Sequence, residues 1–432
     1  MREEKLSRIY PQKWSQFFIL LGFCVIFYFL NLNRWDLWNP DEPRYAQVTR
    51  EMVQRRDWIL MHLNGKVYTD KPPLFFWLIG LSSSLWQGFT SFSVRFPSAV
   101  FGTLTVLATF IIGKNLFSSR VGFLSGLILA TSGQFAYLST RANMDTTLTF
   151  FITTSLFFFY KWYKESLPMR SFSIFGFYIG MALATLVKGP IGFILPLLIV
   201  LVYLSILRDW NGIKKMRLLL GMMICFTLIL LWYFPAFLKG GEKFIRDTLI
   251  LHTTDRFAKG WSHVRPVYYY FYNFPIDFSP WIIFFPGAIA YLFSREGGHQ
   301  RKENLFIFVW FVVIFLFFSI SKGKRGLYLL PLFPSVSLMV GKLWDDFISS
   351  SFDSFRQEWL TIPLYGWMGV TLTLGAALPW IVSAKFPSYL SYSLPIAFLL
   401  IGGSLLLFVL YRIRSRASLF FVIVAVMAIG FF

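Results

Sequence analysis

Charged residues are scarce in this sequence of 432 residues, since Asp, Glu, Lys and Arg together make up only 14% of it. A soluble domain carries about 25% charged residues, so the scarcity excludes an ordinary soluble enzyme. Hydrophobic residues make up 56% of the chain and the mean hydropathy is +0.59. Apolar runs of about 20 residues, the length that crosses a bilayer, recur from end to end. The composition therefore predicts an all-α polytopic membrane protein.

Cysteine and histidine are also scarce, with two and four residues. Cys24 and Cys225 both lie in apolar runs, which excludes a disulfide framework and a cysteine-based metal site. His252 and His263 lack the i, i+4 spacing of helical metal ligands. No cofactor is therefore predicted with certainty, although a divalent cation stays open. The sequence also lacks a glycine-rich phosphate loop, so nothing indicates a nucleotide-binding fold.

Acidic residues are about half as numerous as basic ones, 21 against 41, which gives a net charge of +20. Because no soluble basic domain is present, this excess points to lipid headgroups or phosphates and not to nucleic acid. Fourteen apolar runs are candidate spans, but the run at 74–90 is short, follows two prolines and contains Gly80 and three serines. Treating it as an interfacial helix gives thirteen spans with 21 cations on the inner side and 20 on the outer side. If it crossed, the inner count would fall to 16, so the positive-inside rule favours thirteen spans. The first run, 17–32, has no cleavage site after it and is expected to be a retained helix.

The positive charges on the outer side are gathered in a few places. With thirteen spans, 16 of the 20 outer cations fall in residues 33–73, in residues 238–274 and in the short loop 322–325. The positive-inside rule disfavours Lys and Arg on the outer side. Their concentration there predicts a function that needs them, namely a phosphate-binding site at the outer face. A set of interfacial lipid anchors is the alternative.

The first outer loop contains residues 41–46, Asp-Glu-Pro-Arg-Tyr-Ala. This pattern predicts a helix over 44–56 with Asp41 as its cap and with Tyr45, Val48 and Met52 as an apolar stripe lying on the bilayer. Asp145 begins a later membrane helix on the same outer face. Lys71 precedes Pro72 and Pro73, and Lys188 precedes Gly189 and Pro190, where it is either a cavity cation or a helix-end anchor.

In this order, these motifs together with residues 141–145 and 324–334 resemble the aminoarabinose transferases, which are GT-C glycosyltransferases related to protein O-mannosyltransferases. The resemblance implies a single GT-C membrane domain over 1–432 with about 13 transmembrane helices and external interfacial helices. It implies a catalytic external loop over 33–94 and a loop covering the donor site over 238–274. Such proteins usually continue into a soluble C-terminal domain, which we expect to be absent here because the sequence ends in an apolar run.

The resemblance also implies an activity, namely transfer of a sugar from a polyprenyl phosphate to lipid A at the outer face of the bacterial inner membrane. Asp41, with Asp145 and Glu42, is then expected to be catalytic, and a single displacement predicts inversion at the anomeric carbon. The residues expected to bind the donor phosphate are Arg44, Lys71, Lys324, Arg325 and Tyr328, and secondarily Arg256 and His263.

Two other functions stay open. The first is a protein O-mannosyltransferase-like enzyme with a protein or another envelope acceptor. The second, of a different class, is a lipid transporter, although a transporter is expected to carry charges near the membrane midplane within a repeat of broken helices. Neither feature is evident in the sequence.

Overall fold

The computed structural model describes residues 13–164, 169–248, 264–294, 297–350 and 355–431, which are almost entirely helical. The first nine helices are α1 (Lys13–Cys24, continued by a π-helical turn, Val25–Phe29), α2 (Asp41–Gln54), α3 (Leu74–Leu85), α4 (Ser91–Leu116), α5 (Ser119–Ala130), α6 (Gly133–Ser139), α7 (Met144–Lys164), α8 (Met169–Lys188) and α9 (Ile191–Ile206). The other nine helices within the described ranges are α10 (Trp210–Lys215), α11 (Leu218–Ile245), α12 (Tyr269–Asp277), α13 (Phe285–Leu292), α14 (Arg301–Ile320), α15 (Phe333–Ile348), α16 (Glu358–Lys385), α17 (Leu390–Arg412) and α18 (Arg416–Phe431). Short 3₁₀ helices cover Trp281–Phe284, Gly297–Gln300, Gly326–Leu332 and Pro387–Tyr389.

Six of the described helical segments are long and apolar enough to cross a membrane, or up to eight if the two bent helix pairs α5–α6 and α12–α13 each count as one span. Five shorter apolar helices accompany them. The chain is therefore a helical multi-pass membrane protein, and the count of thirteen spans stays a prediction. Helix α3 has 12 residues and measures about 18 Å, less than the roughly 30 Å of a hydrocarbon core.

A small hairpin follows α2 and is attached to it by a carboxylate. Strands β1 (His62–Leu63) and β2 (Lys66–Val67) pair antiparallel. Asn64 and Gly65 form the turn with φ of 52° and 78°, the left-handed conformation that an Asn-Gly turn supplies. Both turn amides donate to the carboxylate of Glu51, at 2.6 and 3.1 Å. Helix α2 therefore determines where the segment after the hairpin begins.

The apolar stripe of α2 packs inside the protein, so the expectation that it lies on the bilayer is wrong. Tyr45, Val48 and Met52 are 6%, 0% and 0% exposed. The ring of Tyr45 meets the rings of Phe75 and Phe76 on α3 edge to face, with centroids 5.8 and 5.7 Å apart. The apolar face of α2 is covered by α3, because packing this face against an apolar helix removes more apolar surface from water than lying at a polar interface does. The helix also begins at Asp41 and not at Arg44.

Helices α4 and α5 approach closely through two glycines. A Cβ atom on Gly122 would lie 2.3 Å from the backbone oxygen of Phe110, and one on Gly113 would lie 2.7 Å from Cα of Gly122. Small residues permit such backbone approach between membrane helices. The contact joins the last turns of α4 to the first turn of α5.

We expect Gly122→Ala to destabilise the protein by about 1–3 kcal/mol, the usual cost of overpacking, because the new methyl group meets backbone that cannot rotate away. Thermal unfolding in detergent, followed by size-exclusion chromatography, measures the effect. Gly366→Ala is the matched control, since a Cβ atom there meets nothing within 4 Å and alanine favours a helix. Equal melting temperatures for the two variants would contradict the close approach of α4 and α5.

Candidate active site

Asp41 is the first residue of α2, and its carboxylate lies between two guanidinium groups. Oδ1 accepts a hydrogen bond from Nη2 of Arg44, one turn later in the helix. Oδ2 accepts one from Nη2 of Arg325 at 3.1 Å. The N-cap residue is Pro40, so the prediction that Asp41 caps the helix is wrong. The Asp41 side chain is 23% exposed, which leaves its carboxylate open to a ligand.

Glu42 points the other way, into the bundle. Arg95 on α4 donates to its carboxylate from Nε at 2.8 Å and from Nη2 at 2.7 Å, and the two side chains are almost fully buried. The backbone amides of Ala142 and Trp38 donate to the same carboxylate at 2.6 and 2.7 Å. Three of the four accepted hydrogen bonds tie α2 to α4 and to the segment before α7, and the fourth closes the turn that leads into α2. This geometry favours a positioning role for Glu42 over the catalytic role that the resemblance implies.

Arg95 is the residue of this site that the sequence did not single out. Besides binding Glu42, it donates to the backbone oxygens of Leu32, Trp35 and Asp36 at 2.7 to 2.9 Å. It therefore folds the loop between α1 and α2 onto the bundle. The sequence did contain one indication of its role: Arg95 stands at the beginning of an apolar run, where an ionisable side chain needs a partner.

Asp145 is held at the beginning of α7. Its amide donates to Oδ1 of Asn143 at 2.9 Å, which caps the helix, and its own Oδ1 accepts a hydrogen bond from Nζ of Lys188 at the end of α8. The Lys188 ammonium also lies 4.6 Å from the centre of the Tyr328 ring, a cation–π distance. Of the two alternatives for Lys188, the contacts favour a cation inside the bundle. Tyr328 follows Arg325 by one 3₁₀ turn, so it lies on the same side as the Asp41 site.

The segment 68–71 brings a third acid and a further lysine. Nζ of Lys71 lies 3.8 Å from Oδ1 of Asp70, and the Lys71 side chain is 15% exposed. The hydroxyl of Tyr68 donates to Oδ2 of Asp70 at 3.4 Å. Burial, and then the Asp70 carboxylate, raise the pKa of Tyr68 above its ordinary value. Tyr68 is therefore a neutral phenol at physiological pH and acts as a hydrogen-bond donor.

Lys324 and Arg325 are neighbours with different surroundings. Nζ of Lys324 donates to the backbone oxygens of Arg265, at 3.1 Å, and of Ser321, and burial lowers the pKa of Lys324. These contacts favour a role for Lys324 in joining two loops. Burial lowers the pKa of Arg325, but the carboxylates of Asp41 and Asp145 outweigh it and raise that pKa overall. Arg325 therefore stays a cation and faces both acids.

Two of the predicted residues, Arg256 and His263, lie outside the described residues. Within the described ranges, no three His, Cys, Asp or Glu side chains are grouped closely enough to hold a metal ion. Apart from Lys324 and from the cluster of Glu42 with Arg95 and Arg141, the charged groups described here are four cations and three carboxylates: Arg44, Lys71, Lys188 and Arg325, and Asp41, Asp70 and Asp145. The cations outnumber the carboxylates, which suits an additional anionic group.

Comparisons with known proteins show what this chain is similar to. The family model described as dolichyl-phosphate-mannose-protein mannosyltransferase matches residues 70–233. An undecaprenyl phosphate-alpha-4-amino-4-deoxy-L-arabinose arabinosyl transferase of Pectobacterium atrosepticum is 32% identical over 382 residues, which cover 84% of this chain and 66% of that protein. The protein of the same name from Aeromonas salmonicida is 30% identical over 336 residues, and the aligned region covers 76% of this chain and 59% of that protein. The chain thus spans about three fifths of the length of these relatives.

A solved structure extends the likeness to nearly the whole chain. The crystal structure of ArnT from Cupriavidus metallidurans bound to undecaprenyl phosphate superposes with a TM-score of 0.84 at 22% sequence identity. The superposition covers 98% of this chain and 76% of the other. At this identity the superposition establishes the fold, and it agrees with the helical architecture expected from the sequence.

Proposed function

This chain is a relative of the aminoarabinose transferases and has their GT-C fold, and from this premise we propose that it transfers a sugar from a polyprenyl phosphate to lipid A. The sugar is aminoarabinose or a related one. We place the protein in the bacterial inner membrane with the Asp41 site facing the periplasm, as the distribution of outer cations suggests. External segments 33–94 carry the catalytic residues in this proposal, and 238–274 cover the donor.

One observation supports the proposal above the others: the carboxylate of Asp41 lies between the guanidinium groups of Arg44 and Arg325. The Arg44 side chain has a buried Nε without a hydrogen-bond partner in the described part of the chain. An unsatisfied cationic donor beside an accessible carboxylate suits a ligand that brings a phosphate next to a reacting carbon. Asp41, Asp145 and the cations therefore form the proposed reaction centre.

In the proposed reaction, the bond between the anomeric carbon and the phosphate oxygen breaks, and its electron pair leaves with the polyprenyl phosphate. Arg44, Lys71 and Arg325 stabilise the negative charge that develops on that phosphate. An acceptor oxygen forms the new bond to the anomeric carbon. If the acceptor is a hydroxyl, its proton passes to Asp41, and if it is a phosphate of lipid A, Asp41 instead positions it or stabilises the positive charge on the sugar. Attack from the opposite face inverts the anomeric carbon.

A protein acceptor is the second candidate, because the family model that matches residues 70–233 is named for protein mannosylation. Both candidates use the same donor chemistry and the same carboxylate. They differ only in what enters the acceptor side of the site.

The test incubates the purified full chain in detergent with a panel of undecaprenyl phosphate sugars and lipid A, and detects a mass shift of lipid A by mass spectrometry. A shift with aminoarabinose or a related sugar supports the proposal, and NMR of the product reads the anomeric configuration. Parallel reactions offer a peptide containing serine and threonine. Transfer only to the peptide would replace lipid A by a protein acceptor, and no transfer to either would refute the enzyme assignment.

We expect Lys71→Ala to lower kcat/KM for the donor by about 10- to 100-fold, the effect of one lost hydrogen bond to a charged group. Lys71→Arg is expected to recover part of the loss because it keeps the positive charge. The measurement is the initial rate against donor concentration. Lys66→Ala is the control, since Lys66 is exposed on the hairpin. Equal kinetics for both alanine variants would remove Lys71 from the donor site.

A further inference from the structure

A second polar cavity lies at the end of the bundle opposite Asp41. Its volume is about 490 Å³, and its lining includes Phe347 near the end of α15, Gln357 and Thr361 at the start of α16, and the turn between α17 and α18. Helix α15 begins next to the 3₁₀ helix that follows Arg325. Fourteen residues separate Phe333 from Phe347 along it, so the cavity lies about 21 Å further along the bundle axis. This cavity is separate from the site described above.

The cavity is strongly basic. Arg412, Arg414 and Arg416 all line it, and its lining residues, taken from the part of the chain that the structure describes, include no Asp or Glu. Like charges gathered in one cavity repel each other unless an anion is present. By contrast, ion pairs at the same end of the bundle, such as Arg120 with Asp345, at 3.1 Å, have an acidic partner. The three arginines therefore form a site with unbalanced positive charge.

Arg416 is fixed in place by contacts that leave part of its guanidinium available. Nη1 donates to the backbone oxygen of Phe347 at 2.8 Å and to Oγ of Ser350 at 2.9 Å, and the group lies 4.6 Å from the centre of the Phe347 ring. Both bonds come from one nitrogen of a group with five N–H donors. The Nη2 and Nε donors are therefore the ones suited to a ligand.

The turn that carries Arg414 has a backbone conformation that usually takes glycine. Arg414 has a φ of 58°, and the amide of Ser415 donates to the oxygen of Leu410 at 3.0 Å, the pattern of a Schellman turn. Arg208 has the same kind of turn, with a φ of 55°, but it does not line this cavity. The turn alone thus does not define the site, and Arg208 offers a control with matched backbone.

We propose that this cavity binds the phosphate group of an anionic phospholipid. Guanidinium groups bind phosphate oxygens in pairs of parallel hydrogen bonds, and basic pockets between membrane helices are suited to lipid headgroups. The helices beside the cavity expose long apolar surfaces, since only 17% and 22% of the most apolar stretches of α16 and α17 are buried. Acyl chains lie along these surfaces while the headgroup occupies the cavity. A lipid fits this arrangement better than a free phosphate, because Leu419 and Phe347 add an apolar wall.

The test measures the thermal unfolding of the purified full chain in a neutral detergent, followed by tryptophan fluorescence. Phosphatidylglycerol, phosphatidylcholine and inorganic phosphate are titrated separately. We expect phosphatidylglycerol to raise the Tm in a saturable way and the other two to leave it unchanged. An equal rise with phosphatidylcholine would refute recognition of net negative charge, and a full rise with inorganic phosphate alone would refute the lipid assignment.

The variant for this test is the double substitution Arg412→Gln and Arg414→Gln, which keeps the structural contacts of Arg416. We expect it to need at least about tenfold more phosphatidylglycerol for the same rise in Tm, the loss of one charge-assisted hydrogen bond or more. Arg208→Gln is expected to respond like the unmodified chain. An unchanged response of the double variant would overturn the proposal. If the double variant does not elute as a single folded species, Arg414→Gln alone replaces it.

Discussion

Replacing Asp41 by Asn is expected to reduce sugar transfer by about 10²- to 10⁴-fold, the usual contribution of a positioned general base. Asparagine keeps the size of the side chain and one oxygen acceptor, but it removes the negative charge that Arg44 and Arg325 face. The neutral amide neither takes a proton from a hydroxyl nor stabilises positive charge on the sugar. The initial rate of product formation at saturating donor measures the effect, and kcat is expected to fall more than KM rises.

Asp57→Asn is the matched control for this prediction. Asp57 is 22% exposed, close to the 23% of Asp41, and it also pairs with a cation, Lys239, at 3.0 Å. It lies in the loop before the hairpin and its carboxylate binds the amides of Ile59 and Leu60, so its loss affects local structure and not the reaction centre. We expect near-normal rates for this variant. Comparable rates for the two variants would show that Asp41 is not the catalytic carboxylate.

Replacing Arg95 by Met is expected to destabilise the protein by about 3–5 kcal/mol, because it removes the hydrogen-bonded cation of a buried carboxylate. Glu42 then keeps only Arg141, at 3.9 Å, as a cationic partner. Arg95 is 1% exposed. Its loss also removes the donors that three backbone oxygens of residues 32–36 accept from. Adding Glu42→Gln is expected to recover part of the stability, because it removes the buried negative charge. The recovery is only partial, since the amides of Ala142 and Trp38 donate to different carboxylate oxygens and the glutamine side chain offers one acceptor oxygen.

Lys164→Met provides the comparison for Arg95. Lys164 also pairs with a carboxylate, Glu303, at 2.7 Å, but its side chain is 49% exposed. An ion pair exposed to this degree contributes about 0–1 kcal/mol. Thermal unfolding of the three variants in one detergent measures their losses of stability. We expect the largest loss for Arg95→Met, a smaller one for the double variant and the smallest for Lys164→Met. A loss for Arg95→Met no larger than that for Lys164→Met would contradict the role of the buried pair.

The fold class and the grouping of acids with cations were predictable from local patterns. Apolar runs long enough to cross a membrane predict helices. In the motif at 41–46, Asp41 and Arg44 are three residues apart, which predicts that their side chains are neighbours on one helix. The contact of Arg325 with Asp41 was not predictable from pattern alone, because 284 residues separate them. The motif resemblance named both residues without indicating that they touch.

The wrong prediction for the stripe of α2 and the failure to identify Arg95 have the same physical cause. The stripe of α2 is as apolar as an interfacial helix requires, and nothing in its own sequence tells whether lipid or another helix covers it. The partner, α3, was itself predicted to lie at the interface, and the two cover each other. Arg95 was missed for the same reason, since its partner carboxylate is 53 residues away and its other acceptors are backbone oxygens that no side-chain pattern reveals.

Asp41 and Glu42 are neighbours at the start of α2 with different roles: Asp41 faces the proposed reaction centre, and Glu42 fixes the helix end. This arrangement makes the two sides of the site differ in rigidity. Glu42 anchors the helix end to the bundle through three hydrogen bonds, two from Arg95 and one from the amide of Ala142, so the backbone of Asp41 has little freedom to shift. The side of the site formed by Arg325 is held less tightly, because Arg325 contacts Asp41 through a single hydrogen bond of 3.1 Å. In the proposed reaction, we expect an arriving phosphate to compete with the Asp41 carboxylate for that guanidinium, so that the Arg325–Asp41 contact breaks on donor entry while Asp41 keeps its position.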